Sequence, residues 1–326
     1  FQDVQRDLEK EEGFMKRWIK NCLAAGAGCV VAGALLFAVG FLNGGKNYVL
    51  AADLNQWKGS ATKEDSTYGL EKTKIDDYST LNVNLSSLNL QIVSSDDDSY
   101  YISYTTSDSK EKEPVSYDVK NKILTLKEDS DSNSYTHIDI GFLTAFLSKD
   151  KDFTTDENVV TLYVPTDARF QSANINSSFG DILINSSCFE SGKISSDDGE
   201  IFIKNSTLKD VTVSASFGDV KTYDSKIKAC NFELSDGDFV AKDSEFTGEN
   251  SISSSFGDID IEAKKEQLLT LGFDASTGFG DIEVPDFLEG KLHEEDVDES
   301  SYQRSGKDGN LKLQADDGDI VIKLNK

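Results

Sequence analysis

From residue 179 onward, apolar side chains return in short alternating runs, and each run follows a glycine and an acid. Counted from the glycine as position zero, apolar or small residues stand at two and four: Ile182 and Ile184, Ile201 and Ile203, Val220 and Thr222, Phe239 and Ala241, Ile259 and Ile261. A period of two marks a strand with one buried face. A lone apolar residue follows at nine, as Phe189, Leu208, Ile227 or Phe246. A second alternating run then occupies twelve, fourteen and sixteen, as in Val211, Val213 and Ala215 or Cys230, Phe232 and Leu234. The pattern predicts two strands and two turns per coil.

Seven glycine–acid steps carry the repeat: Gly180-Asp181, Gly199-Glu200, Gly218-Asp219, Gly237-Asp238, Gly257-Asp258, Gly280-Asp281 and Gly318-Asp319. They are spaced by 19, 19, 19, 20, 23 and 38 residues. A fixed period of about 20 residues is the signature of a repeat array. The predicted fold is all-β, a single-chain parallel β-solenoid or β-helix with coils of 19 to 20 residues, preceded by one transmembrane helix. The longest gap reads as one coil carrying an insert at about residues 286–308, with Leu311, Leu313 and Ala315 restoring the pattern before Gly318. Stacked in chain order, each coil covers the open edge of the last.

Ahead of the array, residues 76–178 carry alternating strands without the period, such as Leu81-Asn82-Val83-Asn84-Leu85 and Leu88-Asn89-Leu90-Gln91-Ile92. Such strands fit a cap over the first coil. The apolar patch from Ile138 to Leu147 reads as an amphipathic element or a loop packed on the side of the solenoid.

Residues 22–42 form a run of 21 without a charge, long enough to cross a bilayer as a helix. A transmembrane signal-anchor over 18–42 follows, with residues 1–17 cytoplasmic and 43–75 a linker of low structure. Lys16, Arg17 and Lys20 precede the run, so the positive-inside rule places the solenoid, residues 76–326, outside the cell. A cleaved signal peptide is the competing reading, since Ala38-Val39-Gly40 and Val49-Leu50-Ala51 fit cleavage sites. The expected location is a cell membrane, crossed once.

The chain holds 59 Asp plus Glu against 33 Lys plus Arg, a net charge of −26. That charge repels nucleic acid, which is not an expected partner. Expected partners are the membrane, through the one helix, and a protein or glycan ligand. Cys188 and Cys230 fall two coils apart, about 9.6 Å by stacking alone, beyond the ~7 Å a disulfide spans. Both are predicted free, and Cys230 takes a core slot.

The acids after the glycines, Asp181, Glu200, Asp219, Asp238, Asp258, Asp281 and Asp319, line up as a ladder and are the candidate metal ligands, for weakly held calcium. The plainer role is that the glycine supplies a positive-φ turn whose amides the acid accepts. The residue before each glycine runs Phe179, Asp198, Phe217, Asp236, Phe256, Phe279, Asp317. This alternation reads as a way to keep rings from stacking at a crowded corner. Two histidines, His137 and His293, and no nucleophile elbow, phosphate loop or zinc spacing argue against an enzyme. No cofactor is expected.

A charged start, one membrane helix, a linker, the Val164-Pro165 step and repeated Ser-Phe-Gly-Asp-Ile or Asp-Asp-Gly-Asp-Ile turns resemble the bacterial "putative adhesin" family. This is a domain of unknown function built of β-strand repeats on envelope proteins. The resemblance covers about residues 78–324 and implies a surface-exposed solenoid, without supplying functional residues. The function expected is a membrane-anchored, non-enzymatic adhesin-like or structural module. The alternatives are an envelope-stress or ligand sensor and a carbohydrate-active β-helix enzyme.

Overall fold

The computed structural model describes residues 68–106, 114–128, 158–294 and 299–325. The expected membrane helix, the segment 1–17, most of the linker and the patch from Ile138 to Leu147 lie outside the described residues. Among the described residues no helix is long and apolar enough to cross a membrane.

The regular coils have three strands and three corners, not two. In the Gly180 coil these are Ile182–Asn185, Ser187–Phe189 and Gly192–Ser196. The next coil repeats them in parallel register, with Ile182 facing Ile201, Phe189 facing Leu208 and Ile194 facing Val213. The lone apolar residue at position nine therefore anchors a short strand of its own. One large hydrophobic residue per three-residue strand is too weak an alternation to read as a strand from sequence. Stacking puts like residues in columns, so Ile182, Ile201, Val220, Phe239, Ile259 and Ile320 are all fully buried. Burying a side chain of this size contributes roughly 1.5–3 kcal/mol.

Two corners turn on left-handed residues that the glycine pattern does not mark. Asn205, Asp224 and Asp243 have φ of 49°, 48° and 50°, a region that short polar side chains tolerate. Behind them Ser187, Ser206, Ser225 and Ser244 form a buried column. The Ser206 hydroxyl accepts the Ser187 amide at 3.2 Å and donates to the Lys204 carbonyl at 2.7 Å. These pairs satisfy polar groups where the chain turns inside the stack.

The coils do not stack in chain order. Ile320–Leu324 lies between Ile259–Ala263 and Ile282–Glu283, and Gly309–Asp317 lies between Glu245–Phe256 and Leu271–Phe279. Among the described residues the Gly318 coil is thus the penultimate coil of the stack, and the Gly280 coil is outermost. The helix α1, Lys265–Thr270, replaces the short strand in the Gly257 coil and accounts for its extra length. The insert forms an antiparallel hairpin, Lys291–Glu294 with Ser300–Arg304, whose second strand pairs antiparallel with Leu271–Phe279. The Arg304 guanidinium donates to the carbonyls of Leu268, Leu269 and Leu271 at 2.6–2.8 Å. It satisfies the otherwise open C-terminal end of α1.

At the other end a strand starts inside the stretch expected to be linker: Tyr68–Ile75 pairs antiparallel with Tyr100–Thr106. Asn89–Ser94 pairs in parallel with Ile182–Asn185 and Thr80–Leu85 with Ser172–Ser177. Leu88-Asn89-Leu90 therefore holds the slots of a glycine, an acid and an apolar residue, a hidden member of the repeat. Its turn is held differently, because the Glu128 carboxylate accepts the amides of Ser86, Ser87 and Leu88 at 2.7, 2.8 and 3.1 Å. Antiparallel strands close both ends of the 16-stranded sheet, which limits edge-to-edge addition.

Candidate functional site

The glycine corner joins the last strand of each coil to the first strand of the next. Its glycines are dictated more by close approach than by positive φ. A Cβ on Gly199 would lie 2.5 Å from the carbonyl oxygen of Gly180, and one on Gly218 would lie 2.6 Å from that of Gly199. Only Gly218 and Gly257 of the seven have φ in the left-handed half, at 146° and 152°. The column is therefore a seam where backbone packs directly on backbone.

The acids beside the seam tie one coil to the next. Asp181 Oδ1 accepts the Glu200 amide, Asp219 that of Asp238, Asp238 that of Asp258, Asp258 that of Asp319 and Asp319 that of Asp281, all at 2.8–2.9 Å. Asn89 supplies the first rung by accepting the Asp181 amide at 2.9 Å. The longer Glu200 steps out of the series, and Lys221 gathers its carboxylate at 3.1 Å and that of Asp219 at 2.8 Å. Burial lowers the Lys221 ammonium pKa, but the Asp219 hydrogen bond and the charges of Asp219 and Glu200 outweigh it and hold it above the usual lysine value. The ladder is thus a set of inter-coil amide acceptors. The seven candidate residues do come together in one column, and among the described residues no three His, Cys, Asp or Glu side chains converge to hold a metal ion.

On the other side of the seam the rings are not packed. Phe179, Phe217, Phe256 and Phe279 are 51%, 60%, 61% and 64% exposed, which corrects the expectation of a crowded corner. Register pairs Phe217 with Asp236, Asp236 with Phe256, Phe256 with Asp317 and Asp317 with Phe279. The Phe217 amide also donates to Asp197 and that of Asp198 to Ser178, extending the same register to Asp198 and Phe179. In space the order is Phe179, Asp198, Phe217, Asp236, Phe256, Asp317, Phe279, an unbroken alternation. In the sequence Phe256 and Phe279 follow one another, so the misplaced coil hides it. Rings recur every second coil, about 9.6 Å apart, and the strip runs ~29 Å.

The insert offers less. A cleft of about 780 Å³ lies between the hairpin and the sheet, lined by Glu249, Asp274, Glu289, Lys291 and Arg304 among others, and Arg304 is already committed to the α1 carbonyls. His293 is exposed opposite Ser301. Cys188 and Cys230 are both free, and burial raises the Cys230 thiol pKa.

The model of the family described as Toastrack DUF4097 matches residues 78–323. Among solved structures, a "putative adhesin" from Bacteroides fragilis NCTC 9343 is similar at 16% identity and TM-score 0.44, covering 80% of this chain and 97% of that one. A "putative cell adhesion protein" from Clostridium sporogenes ATCC 15579 is similar at 14% identity and TM-score 0.33, over 80% of this chain and 100% of that one. A "putative lipid binding protein" from Parabacteroides distasonis ATCC 8503 is similar at 15% identity and TM-score 0.39, over 79% and 96%. No curated protein matches the sequence.

Proposed function

Since the chain belongs to the Toastrack DUF4097 family, we propose that it is a non-enzymatic interaction module of the bacterial cell envelope, a rigid solenoid that meets its partner through the phenylalanine strip. The observation that carries this reading is the column of four exposed rings at one corner. Large aromatics left half in water forgo much of their burial free energy, and a row of such exposed rings marks a contact surface. The seam beneath it is backbone packed on backbone, so the strip is presented without freedom to collapse. Support for the envelope location comes from the uncharged run over residues 22–42 and the cations before it, which suit a single-pass anchor with the solenoid outside.

The test is adhesion of particles coated with the full chain to bacterial envelope preparations, for wild type and for Phe217→Ser with Phe256→Ser. Both sites are exposed, so the double variant should keep its fold, checked by its unfolding midpoint. Loss of most adhesion is expected, and equal adhesion would remove the strip from the function. Protease treatment of intact cells, which should clip the solenoid, checks the topology.

A further inference from the structure

We propose that the strip is a docking site for a basic, proline-rich segment in the polyproline II conformation. The proposal rests on the reading of the strip as the contact surface and names what occupies it. Two observations select this occupant. The first is charge. Asp198, Asp236 and Asp317 separate the rings, the carboxylates of the ladder lie two residues away, and the chain carries a net charge of −26. Lys221 pairs with Glu200 and Asp219 at one point of the ladder. A second copy of this chain would bring like charge against like, whereas Arg or Lys would find a carboxylate between each pair of rings.

The second observation is the period. Equivalent residues on one face of a polyproline II helix recur every three residues, or about 9.3 Å. Rings and carboxylates on the strip recur every ~9.6 Å, so the two stay in step along its length to within about 1 Å. A cationic α-helix has its nearest matching repeat at seven residues, ~10.5 Å, and slips by nearly 3 Å over the same distance. A β-strand repeats one face every ~6.8 Å and matches neither. Prolines would lie on the faces of Phe179, Phe217, Phe256 and Phe279, as in other aromatic-lined sites for this conformation. Arginines at every third place would reach Asp198, Asp236 and Asp317, with guanidinium planes able to lie against the neighbouring rings.

That the alternation is unbroken only in space strengthens the case. Simple duplication of a two-coil unit would leave it unbroken in the sequence as well. Here the terminal coil is inserted out of order, and it is the one that brings Asp317 between Phe256 and Phe279.

The experiment titrates labelled dodecapeptides into the purified full chain at low and moderate salt. The probes are a Pro-Pro-Arg repeat, a block peptide of the same composition with its arginines together, a Pro-Pro-Glu repeat and a basic heptad helix. The Pro-Pro-Arg repeat should bind best, weaken with salt, and lose about tenfold or more in affinity on Phe217→Ser with Phe256→Ser. The Pro-Pro-Glu repeat should not bind. Equal binding by the block peptide, or binding that survives the double substitution, would reduce the effect to general attraction by the acidic surface and overturn the proposal. Tighter binding by the heptad helix, or no binding by any peptide, would overturn it as well. If particle adhesion still falls with the double variant while the peptides fail, the strip remains the contact surface and only this occupant is wrong. Unchanged adhesion would sink the underlying reading.

Discussion

The Oδ1 atom of Asp258 accepts the backbone N–H of Asp319, 61 residues further along the chain, at 2.8 Å. Asp319 in turn accepts the amide of Asp281 at 2.9 Å. The Gly318 coil is therefore clasped on both sides and lies inside the stack. Ile320 is fully buried, while Ile282 on the outer coil is 8% exposed. Ile320→Ala should cost about 2–5 kcal/mol and Ile282→Ala clearly less, because the outer site can relax. Urea unfolding of the two variants checks this ranking, which a stack in chain order would reverse.

As acceptors of amide protons, the ladder acids need an oxygen more than a charge. Asp258→Asn keeps an oxygen in place and relieves repulsion from Asp238 and Asp319, so it should change stability little. Asp258→Ala leaves the Asp319 amide without its acceptor and should cost about 1 kcal/mol. Equal losses for both would show that the charge is what matters, and would favour a bound cation. The comparison is read from unfolding midpoints with and without a chelator.

Two glycines should fail for different reasons. Gly199→Ala pushes a Cβ to 2.5 Å from the Gly180 carbonyl oxygen, so the seam must open, at roughly 1–3 kcal/mol or more. Gly248 has φ of 71°, and a Cβ there would lie 3.8 Å from its nearest neighbours, so Gly248→Ala meets only backbone strain of about 1–2 kcal/mol and Gly248→Asn less. If Gly199→Asn proved as mild as Gly248→Asn, the steric account of the seam would be wrong.

Thr222 occupies a core slot that holds Ile184, Ile203 or Ile261 in other coils. Its hydroxyl is buried without a hydrogen-bond partner. Thr222→Val removes the stranded polar atom while keeping the branched shape, and should stabilise the protein by about 1 kcal/mol. A lower midpoint for this variant would mean that the hydroxyl is satisfied in solution.

The coil and its period were readable because identical slots stack and the same physical demand recurs at each glycine corner. What escaped was whatever broke that local rule. Leu88-Asn89 takes the place of a glycine and an acid because Glu128, 39 residues beyond Asn89, holds the turn. The place of the Gly318 coil is set by pairing with Glu245–Phe256, a long-range choice that spacing alone does not encode. The phenylalanines were seen, but exposure is a property of three dimensions. Alternating bulky residues beside a tight turn read as packing from the sequence, and only the folded chain shows the rings exposed.

Lys221 lets a charge effect be separated from packing. Its ammonium bridges Asp219 and Glu200 and lies 5.3 Å from the centre of the Phe202 ring. Lys221→Gln leaves the two carboxylates facing each other and should cost about 1 kcal/mol near neutral pH. Because the folded pKa is raised above 10.5, this contribution is fully present below that value and fades as pH rises through the folded value. The gap in unfolding free energy between wild type and variant should therefore hold steady from about pH 7 to 10 and then narrow. Other lysines and tyrosines also titrate there, but they do so in both proteins and cancel in the difference. A gap that did not narrow at strongly alkaline pH would assign the loss to the lysine side chain over the Phe202 ring rather than to its charge.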